Sequence, residues 1–242
     1  MKICAAQIKP VKGDIQTNIE KHKKFIALAV SYAADLIIFP ELSLTGYEPA
    51  MAKELANDEN DSRFDAFQKI SDENKIIIGI GMPVKNAAGI CISIILFHPN
   101  HVRQVYSKKY LHADEEPFFV PGQNAAVFIN QTNIALAICY EVFIPEHVEN
   151  AVKQGAEIYV ASVAKPAAGV KKTGIIFPVV AEKYAMPVLM ANCVGYCDNF
   201  ESAGGSAVWN NKGLLLARLN ETDEAIIMID TETEQVTTRQ LF

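Results

Sequence analysis

The chain has no apolar run approaching the ~20 residues that cross a bilayer as a helix, so its 242 residues are expected to include no membrane span. It also lacks a basic stripe: 22 Lys and Arg stand against 28 Asp and Glu, a formal net charge of −6. Nucleic-acid binding rests on clustered positive charge, and this composition argues against it. Cysteine is sparse and odd in number, five in all, at Cys4, Cys91, Cys139, Cys193 and Cys197. A disulfide framework needs paired cysteines, so these read as free thiols of a reducing compartment. Cys193 and Cys197 have no second Cys or His pair at zinc spacing, and no acid accompanies His98 and His101 at helical spacing. No metal site is expected. The opening MKICAAQIKPV is too short an apolar run for a secretory leader and has no small-residue cleavage site, which points to the cytoplasm. No Gly/Ser-rich linker divides the chain.

What is present is apolar material, 50% of the residues and enough for a sizeable core. MKICAAQI, DLIIFPE, IIIGIGMPV and ICISIILFHP read as strands, and VRQVYSKKYL holds a shorter one. The last three have the look of a meander. The spacing of Ile19, Phe25, Ile26, Ala29 and Val30 predicts a helix over 18–32, capped by Asp14 or Thr17, and a second helix follows over 62–74. The second half repeats the plan. TNIALAICYE is a strand, VENAVKQG a helix stopping at Gly155, AEIYVASVA a strand, 175–184 a helix despite Pro178, and MPVLMANCVG a strand. SAVWNNKGLLLARL reads as a hairpin turning at Asn210–Gly213, and EAIIMIDTE as a last strand before a polar tail. AADLIIFPE and GAEIYVASVA share a small residue and an acid ahead of a strand, a weak repeat that favours one α/β domain over 1–242. Strands as apolar as IIF and YVA are buried on both faces, so helices must cover the sheets.

In α/β sheets reactive groups collect at the carboxyl ends of strands. Glu41, Lys108 and Cys139 stand just past three such ends. Each has an ordinary explanation: a solvated loop acid, a surface lysine beside Lys109, a small core residue. Pro40 shifts the balance, because it cannot donate to a ladder and so presents Glu41 at a sharp exit. Gly46 and Tyr47 follow in a turn whose aromatic could wall a pocket. The loop with Asp114, Glu115, Glu116, Phe118 and Phe119, closed by Pro121–Gly122, interleaves acids with aromatics as a pocket rim does. A thiol needs a base or a positive neighbour to become a nucleophile. A carboxylate in a dry site can take its proton, and an ammonium with a backbone amide can hold the oxyanion formed when sulfur attacks a carbonyl. The three together suit acyl transfer from an amide to sulfur and then to water.

These segments resemble the nitrilase superfamily, the carbon–nitrogen hydrolases. AAQI, GDIQTNIEKH and AADLIIFPELSLTGY are similar to the family's opening, VYSKKYLHADEEPFFVPG to its lysine motif, and ICYEVFIPEHVENAVKQGAEIYVASVA to its nucleophile motif. ANCVG and GGSAVWNNKG are similar to its C-terminal half. The resemblance implies a four-layer α-β-β-α sandwich, no cofactor, and homodimers or higher homo-oligomers. It implies Glu41 as general base, Cys139 as nucleophile, and Lys108, rather than Lys109, as oxyanion clamp. Glu116, eight residues after Lys108, takes the place of the family's second glutamate, with Glu115 the alternative. The backbone amide of Tyr140 is the expected second oxyanion donor. Tyr47, His112, Tyr140, Glu141 and Phe143 are the expected substrate-facing residues.

Departures bear on the substrate, a small amide. Glu141 stands where many amidase members have Asp, and Phe143-Ile144 where they have Arg-Phe. If that arginine binds an acidic substrate, its loss argues against a dicarboxylate monoamide. Tyr110 takes a position the family usually fills with His. VAKPAAGVKK stands where many relatives have a Trp-containing loop, and its small residues fit either room for a larger acyl group or a mobile segment. The size and the missing Trp after the cysteine favour the compact amidase type over a true nitrilase, with carbamoyl-amide hydrolysis as the alternative. Two other readings stay open: a Cys–His enzyme with His112 or His147 as base, and an inactive scaffold or binding member.

Overall fold

The computed structural model describes residues 1–123 and 133–241. The expected strand start at Thr132 and the last residue, Phe242, lie outside the described residues. In chain order the elements are β1 (Lys2–Gln7), α1 (Ile15–Ser31), β2 (Leu36–Ile38), α2 (Ala52–Leu55), α3 (Asp65–Asn74), β3 (Ile77–Asn86), β4 (Gly89–Phe97) and β5 (Gln104–Ser107). There follow β6 (Ile134–Ile138), α4 (Pro145–Lys153), β7 (Ile158–Val163), α5 (Ala167–Tyr184), β8 (Val188–Asn192), β9 (Val194–Cys197), β10 (Phe200–Ala203), β11 (Ala207–Trp209), β12 (Leu215–Arg218), β13 (Ala225–Asp230) and β14 (Val236–Gln240). Asp14 caps α1, its carboxylate accepting from the Thr17 amide at 3.0 Å.

Two sheets carry the fold. One has seven strands in the order β14-β13-β1-β2-β3-β4-β5, the other five in the order β12-β11-β8-β7-β6. In the first, β1, β2 and β3 run parallel, and β4 and β5 continue antiparallel. In the second, β6, β7 and β8 run parallel, and β11 and β12 continue antiparallel. The weak repeat in the sequence thus reflects a shared topology.

Alternation along each strand explains the layers. Ile3 and Ala5 of β1, with Ile134, Leu136 and Ile138 of β6, face a core between the two sheets. Their neighbours Cys4 and Ala6 pack instead with Phe25 and Ile26 of α1 and Phe67 of α3. Ala135 and Ala137 pack with Val148 of α4 and Phe177 of α5. Three cores separate four layers, α-β-β-α, and both faces of each sheet are covered. No helix among the described residues is long and apolar enough to cross a membrane.

Three elements differ from expectation. α5 begins at Ala167, two turns before the expected 175, because Val170, Thr173, Phe177 and Ala181 are buried at helical spacing. The strand expected through MPVLMANCVG breaks at Cys193, and β9 pairs with β10 as a separate two-stranded sheet. The polar tail holds β14, where β-branched Val236, Thr237 and Thr238 pair with β13 as a polar edge strand.

Candidate active site

Three chain turns meet at one end of the facing sheets. After β2, the Phe39 amide donates to the Gly79 carbonyl at 2.9 Å, Pro40 offers no donor, and the chain turns sharply with Leu42 at φ +51°. The turn lies directly on β3. A Cβ at Gly81 would come within 2.3 Å of the Pro40 oxygen and 2.6 Å of the Leu42 nitrogen, so only glycine admits this approach. After β5, Lys108 stays tethered, its amide donating to Ile92 O at 2.8 Å and its carbonyl accepting from Gly122 N at 2.7 Å. After β6, Cys139 adopts φ +45°, an unfavourable region for a side chain with a Cβ. It opens a 3-10 turn spanning Cys139–Phe143. Tyr140 lies in the first turn, where amides have no acceptor within the helix.

The turns bring Glu41, Lys108 and Cys139 together. Lys108 is fully buried, its Nζ 2.7 Å from Glu41 Oε1 and 2.6 Å from Glu115 Oε1. Glu115 Oε1 also accepts from the Tyr47 hydroxyl at 2.9 Å, and Oε2 from the His112 amide at 2.8 Å. Glu41 Oε2 is buried with no partner at full hydrogen-bond distance among the described residues. The Cys139 thiol donates to the Ala164 carbonyl at 3.7 Å, within reach of the Glu41 charge.

Glu116 does not join them: it is exposed, while Glu115 is 1% exposed. The loop turns tightly here, with Glu115 N bonded to His112 O and the Phe118 and Phe119 amides to Glu115 O. Adjacent residues of such a turn point apart, so the glutamate beside Lys108 is Glu115.

Glu141 is also placed differently from expectation. It is completely buried and does not line the cavity. One carboxylate oxygen accepts from the Ile138 amide at 2.8 Å and the Tyr106 hydroxyl at 2.7 Å. The other accepts from the Lys109 amide at 2.7 Å. It therefore clamps the turn bearing Cys139 to the segment bearing Lys108. His147 supports it from behind, with one ring nitrogen 2.8 Å from the Tyr106 hydroxyl and the other 2.9 Å from the Tyr159 hydroxyl. His112 sits half-exposed at the rim against Asp114. Neither imidazole bonds to Cys139 among the described residues.

Burial sets the electrostatics. It raises Glu41 above the ordinary carboxylate range, and the adjacent Glu115 charge adds to this, while Lys108 opposes it. Burial works against the Lys108 ammonium, yet Glu41, Cys139 and Glu115 outweigh it and hold Lys108 firmly charged. Burial and the Glu41 charge push the Cys139 thiol up to about 11, against the pull of Lys165 and Lys108. At rest the Cys139 thiol is therefore neutral, beside a Glu41 carboxyl that Lys108 bridges. Moving the proton from sulfur to Glu41 leaves the net buried charge unchanged.

Above Cys139 lies a cavity of about 330 Å³, lined by Tyr47, His112, Tyr140 and Phe143 and also by Glu115, Lys165 and Phe200. This is the size of a small-molecule site. A wider depression of about 590 Å³ beside Gly13 and Met51 has no cysteine in its walls. Lys165 and Phe200 are lining residues that sequence reasoning does not single out; Lys165 stands within the small-residue stretch VAKPAAGVKK. Among the described residues no group of three or more His, Cys, Asp or Glu is placed to hold a metal ion.

The four-layer fold is that of the nitrilase superfamily. The chain matches the amidase from Nesterenkonia sp. AN1, solved in complex with butyramide, at a TM-score of 0.86 and 24% identity, over 95% of this chain and 90% of that one. The carbon–nitrogen hydrolase family profile matches residues 2–239, and the chain belongs to that family. Among curated relatives, it is 25% identical to the "hydrolase in agr operon" of Staphylococcus aureus over 98% of this chain and 93% of that protein. It is 24% identical to an (R)-stereoselective amidase of Pseudomonas sp. over 98% of this chain and 86% of that one. It is 26% identical to the glutamine-dependent NAD(+) synthetase of Aquifex aeolicus, of which it spans 44%.

Proposed function

We propose that this protein hydrolyses the carbon–nitrogen bond of a small amide through a thioester on Cys139. The observation that carries the reading is the buried Lys108 held between Glu41 and Glu115 at the foot of the cavity that Cys139 lines. The family and its relatives named as amidases support it.

Glu41 takes the thiol proton, and the thiolate adds to the amide carbonyl. Lys108 Nζ and the Tyr140 amide hold the resulting oxyanion. Collapse breaks the C–N bond, and protonated Glu41 returns its proton to the departing ammonia or amine, leaving an S-acyl cysteine. Water then attacks the thioester as Glu41 accepts one of its protons, the carboxylic acid leaves, and the proton returns to sulfur. Glu115 orients Lys108 throughout, with Tyr47 orienting Glu115.

A panel of primary amides and N-carbamoyl amides with ammonia detection tests this. Turnover is expected for the primary amides. Cys139→Ala should abolish it, and intact-mass analysis of the wild type should show an acyl adduct on Cys139. A folded wild type that hydrolyses no member of the panel would refute the reading and favour an inactive scaffold. We also infer a homodimer or larger homo-oligomer, supported by Ile175 and Val179, 65% and 59% exposed one turn apart on α5; light scattering checks it.

A further inference from the structure

Lys165 is a buried lysine with no counter-charge among the described residues. It follows β7, is 4% exposed, and lines the cavity next to Cys139. Its ammonium rests 4.2 Å from the centroid of the Phe143 ring. Among the described residues no carboxylate pairs with it. The cavity's acids are engaged elsewhere, Glu115 with Lys108 and Tyr47, and Asp114 with His112.

The backbone of this lysine is held in place just past the end of β7. Its amide donates to Asn192 Oδ1 at 2.8 Å, and its carbonyl accepts from Asn192 Nδ2 at 3.1 Å and from the Ala203 amide at 3.0 Å. Its stem lies along α5 at Gly169, where a Cβ would meet Lys165 Cβ at 3.1 Å and Cγ at 3.3 Å. A buried ammonium stripped of water is unfavourable unless something anionic restores its interactions. The cavity is where such a group can come from.

We infer that Lys165 determines specificity and that the acyl group this site accepts carries a carboxylate at its far end. The inference rests on the amidase reading. It also revises the expectation drawn from the missing arginine. Phe143, standing where that arginine would, supports a cation delivered from β7 instead. A neutral acyl chain would leave the ammonium uncompensated, so discrimination comes from both attraction and penalty.

Lys165 also lies close enough to lower the Cys139 thiol. A role confined to the thiol would affect every substrate alike, and this separates the two. The test measures kcat and KM for butyramide against succinamate, and pentanamide against glutaramate, pairs matched in carbon number. The wild type should favour the anionic member at least tenfold in kcat/KM. Lys165→Met should lower that ratio at least tenfold, through the KM of the anionic amide, and Lys165→Arg should retain the preference. Equal losses on both members of a pair would overturn the inference and assign Lys165 to the thiol. The wild-type comparison needs no variant: butyramide turnover without anionic preference overturns this inference and leaves the amidase reading standing, whereas no turnover of any amide sinks both.

Discussion

At the scale of single residues, the site turns on which of two adjacent glutamates reaches Lys108. The sequence does not separate Glu115 from Glu116, because motif spacing counts residues and does not resolve a turn. The hydrogen bonds through His112, Glu115, Phe118 and Phe119 resolve it. Glu115→Gln should lower kcat/KM by roughly 10²-fold or more, since it loosens a group aimed at developing charge. Glu116→Gln should leave it within about twofold, as expected of an exposed side chain away from the site. A second prediction concerns pH. Glu41 must be ionised to accept a proton, and burial raises it above its ordinary 4.5. Activity is therefore lost as pH falls through that raised value, so the acid limb of kcat/KM should lie above the ordinary carboxylate range. A limb at or below 4.5 would deny Glu41 the role of base. Lys165 is hidden in the sequence for a statistical reason: a lysine is rarely buried without a partner, and only the Phe143 ring, Gly169 and Asn192 together explain why this one is.

At the scale of elements, strand ends are readable because apolar runs finish at marked residues: Pro40 after β2, the paired lysines after β5, Cys139 after β6. Less readable are features set by tertiary contact. The first turns of α5 hide behind Pro166 and a run of small residues, and β14 is an edge strand in a polar tail. The resemblance implies a substrate-facing Glu141, but the 3-10 turn swings it back to Ile138, Tyr106 and Lys109. Gly81 shows the packing on which the site depends. Gly81→Ala sets a methyl against the Pro40–Leu42 backbone, which cannot rotate away. It should destabilise the protein by about 1–3 kcal/mol or more and displace Glu41, visible as a lower melting temperature together with a fall in kcat. A variant with wild-type melting and activity would show that the turn relaxes freely.

At the scale of the whole molecule, largely buried histidines tie stability to pH, His22 and His147 above all, with His98 also lowered by burial. Burial holds His22 down to about 3 and His147 down to about 4, against an ordinary 6.5. Both are neutral in the folded chain. Below 6.5 the unfolded chain binds protons that the folded one refuses, so stability falls with pH until the folded values are reached. Every tenfold difference in proton affinity between the two states is worth about 1.4 kcal/mol, so the melting temperature should drop steeply between pH 7 and pH 4. His147→Gln, which keeps polar contacts with Tyr106 and Tyr159, should flatten part of that slope; an unchanged slope would exclude His147 as a contributor.

The Glu141 clamp has a consequence for making hybrids of this family. Its carboxylate belongs to the second sheet's half of the chain, yet it holds the Lys109 amide and the Tyr106 hydroxyl of the first. A crossover between residues 123 and 133 would pair this clamp with foreign contacts. Chimeras that keep all of Glu41, Lys108 and Cys139 should then still differ widely in activity, according to whether the carboxylate after the cysteine and the two groups that donate to it come from the same parent.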